Sequence, residues 1–442
     1  MRRDRSISGL FTLFEPLRWA FTERTFLNFV TVAVGWLLTN GRHAVTGALV
    51  ATGTSVQRHH SAYHRLFSTA QWCADEVGRR LFRLIVDVVP EDEPIGATLD
   101  DTLAKKKGPN IYGLGTHIDA VRSTRGHKIY AFGHVWVILC VSVRFPFSPR
   151  PWSLPVLLRL YRNKKSCPEE DYRKKTELGH QMLDVLTTWL NGRRCEVCAD
   201  SEYCNSTVIK GLASNIILFG RMRPDAALTK PPKPITKRRG RPQIRGKRLP
   251  TPTKMLQDKR RGWRKSTAFL YRQERQISYK TLTAQWYRVC ADKLVRVVII
   301  PVATGNVPLQ VFFCTDPSVS PRYLLERYSS RWSVECTFRD IKQFLGFADS
   351  QAWTQLAVER TAPFVAYLYT IVVMWYAEYG YKSQFDILPI RPWYRTKTAP
   401  SFEDMLAAVQ TACRAEVFLD PPRKHGNFHK IIRAAFGQED RV

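Results

Sequence analysis

The stretch IGATLDDT, residues 95–102, decides the fold. Its apolar run, Ile95 to Leu99, stops directly before Asp100 and Asp101, as at the carboxyl end of a buried strand. CEVCADSEY (195–203) repeats the pattern and ends in Asp200. Between them, KIYAFGHVWVILCVSVRF (128–145) predicts two strands around Gly133 and His134, and Glu170 to Leu190 predicts a helix. A helix near Cys204–Leu212 and the strand NIILFG (215–220) follow. Such alternation gives an α/β fold, a twisted sheet with helices on its faces. Ligands of such sheets sit beyond the carboxyl ends of strands, where Asp100 and Asp200 would lie.

Working outward, residues 1 to about 90 read as short helices broken at Gly41, Gly47 and Gly53. Arg42, Arg58, His59, His60, His64 and Arg65 suit a helix-turn-helix-like DNA reader, or equally the surface of an ordinary bundle. Between Lys230 and Lys265 there are 15 Lys/Arg and one acid. KRRGRPQIRGKR (237–248) has no apolar face and reads as an extended segment, with Arg238, Arg239 and Arg241 set to contact DNA. Its RGRP tetrapeptide is similar to a minor-groove hook; a nonspecific phosphate clamp is the simpler reading. TAQWYRVC, KLVRVVIIPV and LQVFFCTD restore β-rich sequence. LAVERTAPFVAYLYTIVVMWYAEYG (356–380) predicts a long apolar helix against the sheet, and Ser401 an N-cap for the last one.

The 442 residues suffice for two or three domains. A net charge of +30 calls for a polyanion, most simply nucleic acid, although a membrane surface or a ribosomal partner has the same sign. Ten scattered cysteines with one CxxC pair, Cys195 and Cys198, fit buried strand positions better than a zinc knuckle and suggest a reducing, cytoplasmic setting. No signal peptide is expected after Met1, and the apolar segment Phe364–Tyr379 is short for a membrane span.

RYSSRWSVECTFRDIKQ (327–343) lacks Pro and Gly and predicts one helix. On that helix Tyr328, Arg331, Glu335 and Lys342 would fall within roughly 60° of one another. The plain alternative is a solvated charged face with i, i+4 pairs. Two strand-end aspartates and a helix glutamate are also what two Mg²⁺ ions require: hard cations bound by carboxylate oxygens, activating a water or a 3′-hydroxyl. Taken singly, each aspartate could simply cap the next helix. His117 and His134 are weaker metal candidates.

The spacing Tyr328-x2-Arg331-x3-Glu335-x6-Lys342 resembles the Y-R-E-K signature of DDE transposases encoded by bacterial insertion sequences. TLDDT resembles their first-aspartate motif and VCADSEY the second, with HHSAYHRLFS (59–68), RMRPDAAL, CTDPSVSPRYLLERYSSRW and RPWYRTKTAPSF similar to further family blocks. The resemblance implies a ribonuclease-H-like mixed sheet flanked by helices, interrupted by a β-rich insertion, behind an all-helical amino-terminal domain. The implied parts are a helical DNA-binding domain (1–90), the core in two parts (91–222 and 306–385), a basic β-rich insertion (223–305), and a terminal helix with a basic tail (386–442). It further implies a catalytic and metal-binding triad of Asp100, Asp200 and Glu335, with Mg²⁺ as cofactor and Mn²⁺ able to substitute. Asp101 and Glu202 are rivals, Asp101 by strand parity on the opposite face. Tyr328, Arg331 and Lys342 would grip DNA phosphates, and Trp286 or Trp263 would stack on a flipped base. The expected activity is cut-and-paste transposition on terminal inverted repeats and target DNA, by a homodimer without membrane attachment. An inactive transposase-derived DNA-binding protein, or a nuclease without strand transfer, is the alternative.

Overall fold

The computed structural model describes residues 6–124, 126–232, 243–258, 262–291, 293–302, 309–383, 393 and 397–419. In chain order, five helices come first: α1 (Ser6–Phe14), α2 (Glu23–Leu38), α3 (Val45–Ala51), α4 (Ser61–Ser68) and α5 (Ala74–Val86). Four strands follow: β1 (Ile95–Lys105), β2 (Gly115–Ile118), β3 (Tyr130–Val143) and β4 (Trp152–Tyr161). Then come α6 (Lys175–Trp189), β5 (Cys195–Ala199), α7 (Ser206–Ile209), β6 (Ile216–Met222), α8 (Pro252–Gln257), β7 (Arg264–Leu270), β8 (Gln273–Gln285) and α9 (Tyr287–Cys290). The rest is β9 (Leu294–Pro301), β10 (Leu309–Cys314), α10 (Pro321–Ser329), α11 (Trp332–Phe344), α12 (Gln355–Trp375) and α13 (Phe402–Leu419).

These elements form two compact units. The first gathers the described residues of Met1–Pro90, Asp101–Tyr172 and Cys336–Val442; the second gathers Glu91–Asp100 and Arg173–Glu335. Both are mixed α/β.

In the second unit the strand order is β1-β5-β6-β10-β9-β8-β7, with β1, β5 and β6 parallel and the rest antiparallel. β7, β8 and β9 lie between Asp200 and Glu335 in the chain, within the residues 223–305 expected to be β-rich. β5 is buried at all five positions, as a strand covered on both faces should be, so Cys195 and Cys198 are both interior. Burial pushes the Cys195 thiol up to about 12 and the Cys198 thiol to about 11, which leaves them inert as thiolates. A core of Phe219, Val298, Phe312, Leu324, Leu325 and Tyr328 lies under α10.

In the first unit β3 pairs with β2 at its start and with β4 along the rest. The predicted pair of strands around Gly133 and His134 is therefore one strand of 14 residues. A Cβ at Gly133 would stand 2.2 Å from the Ala104 carbonyl oxygen, so this glycine marks a close backbone approach, not a turn. The amino-terminal helices belong to this unit. Phe364 of α12 meets Phe29, Trp36 and Phe67 with ring centroids 5.5, 5.5 and 5.1 Å apart. Edge-on aromatic contacts of this kind contribute about 0.5–1.5 kcal/mol each beyond the area they bury. α12 has the length and composition to cross a membrane, yet 83% of its apolar window is buried inside the protein. Ser401 caps α13 as expected: its hydroxyl oxygen accepts from the Asp404 backbone N–H at 3.4 Å, and its own N–H donates to Asp404 Oδ2 at 2.7 Å.

Candidate functional site

β1 and β5 are paired in parallel register from Ile95↔Cys195 to Leu99↔Ala199. Asp100 and Asp200 are the next residues on the two strands, so register alone sets them level on neighbours about 4.8 Å apart. β1 does not end there, as the sequence suggested. It runs on to Lys105 with Thr102 and Ala104 buried and Leu103 between them partly exposed, a continuation that the residue types do not mark. Asp101 falls in the other unit.

Asp200 stands at the N-cap position of a single 3-10 turn, Ser201–Tyr203, but its side chain makes no capping bond. The carboxylate accepts from the Ser201 hydroxyl at 3.4 Å, long for O–H···O. Glu202, its rival, is held by Lys175 at 2.8 Å.

The segment 327–343 is not one helix. α10 stops at Ser329 and α11 starts at Trp332. Two serines cause the break: Ser329 Oγ donates to the Glu326 carbonyl at 2.8 Å and Ser330 Oγ to the Arg327 carbonyl at 2.6 Å. Hydroxyls that take backbone acceptors compete with helix continuation. Tyr328 thus belongs to α10, Arg331 to the junction, and Glu335 and Lys342 to α11, so the single four-residue face does not exist.

The junction nevertheless assembles a charged cluster. Arg331 pairs through Nη1 with Asp100 Oδ2, and through Nη2 with Glu335 Oε1 at 2.7 Å. Burial on its own would lower the guanidinium pKa; the neighbouring Asp100, Tyr328, Glu335 and Asp200 outweigh it and hold the value above normal. Glu335 keeps about half of its side chain in solvent, at 48% exposure. Tyr328 is buried, 5.0 Å from Phe312 between ring centroids, and burial raises its phenol pKa. The same ring carries Arg331 at 5.8 Å. Tyr328 therefore sits as core packing beneath the arginine.

Lys342 lies in the first unit, where its Nζ donates to Thr102 Oγ1 at 2.6 Å. The residue is exposed by area, yet protein packed around its ammonium removes enough water to push the pKa down to about 8. Trp286 is 8% exposed and edge-on to Phe313 at 5.1 Å. Trp263 is 40% exposed, lies over Lys280 Nζ at 4.8 Å, and lines a cavity of about 470 Å³ with Met255, Arg264, Thr281 and Ile299. Arg238, Arg239 and Arg241 lie outside the described residues.

Three carboxylates on one unit are the donor type a hard divalent cation takes. Their arrangement does not fit one. The guanidinium of Arg331 spans Asp100 and Glu335, and among the described residues no three His, Cys, Asp or Glu side chains gather to hold an ion. Of the histidine candidates, His134 is engaged elsewhere: its Nε2 donates to the Tyr112 carbonyl at 2.8 Å, and burial lowers its pKa to about 4.

A second carboxylate cluster had no sequence signal. Glu196, 2% exposed in the middle of β5, accepts from Tyr323 Oη at 2.7 Å and pairs with Arg327 Nε at 3.0 Å. Arg194 joins it at 3.4 Å and reaches on to Asp316 at 3.0 Å. Tyr323, Arg327 and Asp316 are all more than a hundred residues away from Arg194 and Glu196 in sequence.

The level positions of Asp100 and Asp200 lie in the part of the chain that a family model matches. This chain belongs to the DDE superfamily endonuclease family, whose family model matches residues 16–290. No curated protein matches it. Among solved structures, the cryo-EM structure of the piggyBac transposase synaptic complex with hairpin DNA is similar at a TM-score of 0.41 and 10% identity, covering 95% of this chain and 78% of that one.

Proposed function

We propose that this chain is a cut-and-paste DNA transposase of the kind encoded by bacterial insertion sequences. Water adds to a phosphodiester at each element end and releases a 3′-hydroxyl, which then attacks target DNA. The observation that carries the reading is the level register of Asp100 and Asp200 with Glu335 tied to Asp100 through Arg331. Family membership and a net charge of +30 support DNA as the substrate.

In this reading the mixed sheet is a ribonuclease-H-like core, Arg331 and Lys342 keep the phosphate-gripping roles of the Y-R-E-K signature, and Tyr328 supports Arg331 from the core. Arg331 suits a phosphate by its bidentate fork, with the Tyr328 ring holding the guanidinium in place. Lys342 supplies a point charge. Trp263 suits a stacking role better than Trp286, because it is the more exposed of the two. The helical segment 1–90 would read the terminal repeats, the basic segment with Arg238, Arg239 and Arg241 would clamp phosphates, and a homodimer would hold both ends in the bacterial cytoplasm. Mg²⁺ is the expected ion, and holding it among these acids requires Arg331 to leave its present pairs.

Arg331 between two of the three acids also favours a second reading, a DNA-binding protein without cleavage. The test is cleavage of duplex DNA that carries the sequences flanking the gene. Glu335→Ala is expected to lose at least 10³-fold in cleavage while binding the same duplex, by the size of typical active-site deletions. Equal cleavage by both proteins contradicts the assignment. Binding with no cleavage by the wild type selects the second reading.

A further inference from the structure

A second basic stretch lies outside residues 230–265. From Thr102 to Pro168 the chain carries twelve Lys/Arg and one acid, Asp119. Part of it folds in the first unit as the antiparallel pair β2 and β3, with Thr116 opposite Phe132 and Ile118 opposite Tyr130. His117, the alternate position on β2, is buried, so Thr116 and Ile118 face outward with their partners. Tyr130 is 62% exposed, Ile118 49% and Phe132 44%.

Backbone and side-chain bonds tie together the two ends of the connection between the strands. Asp119 N–H donates to the Ile129 carbonyl at 2.8 Å, and Ser123 Oγ accepts from Ile129 N–H at 2.9 Å. At its turn Val121 is 96% exposed. Exposed cations flank the apolar strip: Lys105, Lys107, Arg122 and Lys128. Lys105 neutralises the single acid, Asp119, at 2.7 Å.

A row of large apolar side chains at a sheet edge attracts partners unless it is covered. The positive rim decides which partner. A second copy of this chain would bring the same cations and be repelled. Duplex DNA meets both features, with phosphates for the cations and sugar and base edges, or an opened base step, for the apolar strip.

We propose that the outward face of β2 and β3, with Arg122 and Lys128 beside it, forms a DNA-docking surface, these two cations on phosphates and Ile118, Tyr130 and Phe132 against the groove. The inference rests on DNA being the substrate. It is tested on the full-length protein by fluorescence anisotropy with a labelled duplex across a salt series, for Arg122→Gln/Lys128→Gln and for Tyr130→Ser/Phe132→Ser. All four positions are exposed, and thermal melts matching the wild type are the control for folding. The charge pair should weaken binding roughly tenfold and flatten the slope of log K against log salt by about 2. The aromatic pair should weaken binding several-fold at an unchanged slope. Wild-type affinity and slope in both variants would overturn the docking surface and leave the proposed function intact, whereas a wild type that binds no duplex would overturn both. If light scattering finds a wild-type dimer that the aromatic pair dissociates at unchanged DNA affinity, the face joins copies of the chain and the proposal falls.

Discussion

Glu196 and Asp200 stand four residues apart on one strand and its end, and they have opposite surroundings. Glu196 is sealed in the middle of β5 with a phenol and two arginines around it. Asp200 is half-buried at the strand end, level with Asp100 and served by one long hydroxyl contact. A buried carboxylate that has its cations is part of the fold, because removing it strands charges in low dielectric. A carboxylate left with spare oxygen valence at the end of a parallel strand is available for chemistry.

The difference predicts how substitutions divide. Glu196→Ala should destabilise the protein by roughly 3–5 kcal/mol, because Arg327 would stay buried without its partner, as read by urea unfolding. Asp200→Ala should change stability by no more than about 1 kcal/mol. Equal stability losses at the two sites would erase the distinction.

A buried group that must stay neutral sharpens the contrast. Burial holds His134 down at about 4 against 6.5 unfolded, so between those values the unfolded chain binds the extra proton. The contribution is complete above pH 6.5 and disappears as pH falls through about 4, to a total of roughly 3 kcal/mol. Unfolding curves over that range should steepen with acid in the wild type and less in His134→Gln.

The smallest expected effect is at Lys342. Its ammonium, with a pKa near 8, loses its charge on the alkaline side of neutrality. If it holds a phosphate, DNA affinity should fall several-fold between about pH 7 and 9 in the wild type and stay flatter in Lys342→Arg, whose guanidinium does not titrate there. Parallel pH profiles for the two proteins would remove Lys342 from the DNA grip.

Much of the sheet was legible because each strand announces itself locally. β5 is an apolar run that stops before an acid, β1 opens with an apolar run that meets its acids midway, and β6, β9 and β10 are short β-branched or aromatic runs found close to their expected bounds. One feature was written locally and read differently, the Ser329-Ser330 pair that breaks the helix, whereas the extension of β1 through DDTLAK has no apolar alternation to mark it. Others depend on chain folding and have no local mark. Glu196 gains its meaning from Tyr323 and Arg327, and Gly133 from the Ala104 carbonyl beside it. Of the two candidate tryptophans, sequence could not tell which packs against Phe313 and which faces solvent.

The central claim is that Asp100, Asp200 and Glu335 act together on DNA. It is tested most directly by cleavage of the gene-flanking duplex by the wild type and the three single alanine variants, with binding measured on the same duplex. The account predicts that each variant loses at least 10³-fold in cleavage at near-wild-type affinity, because a cooperating set fails when any member is removed. Cleavage that survives in any one of the three would contradict it.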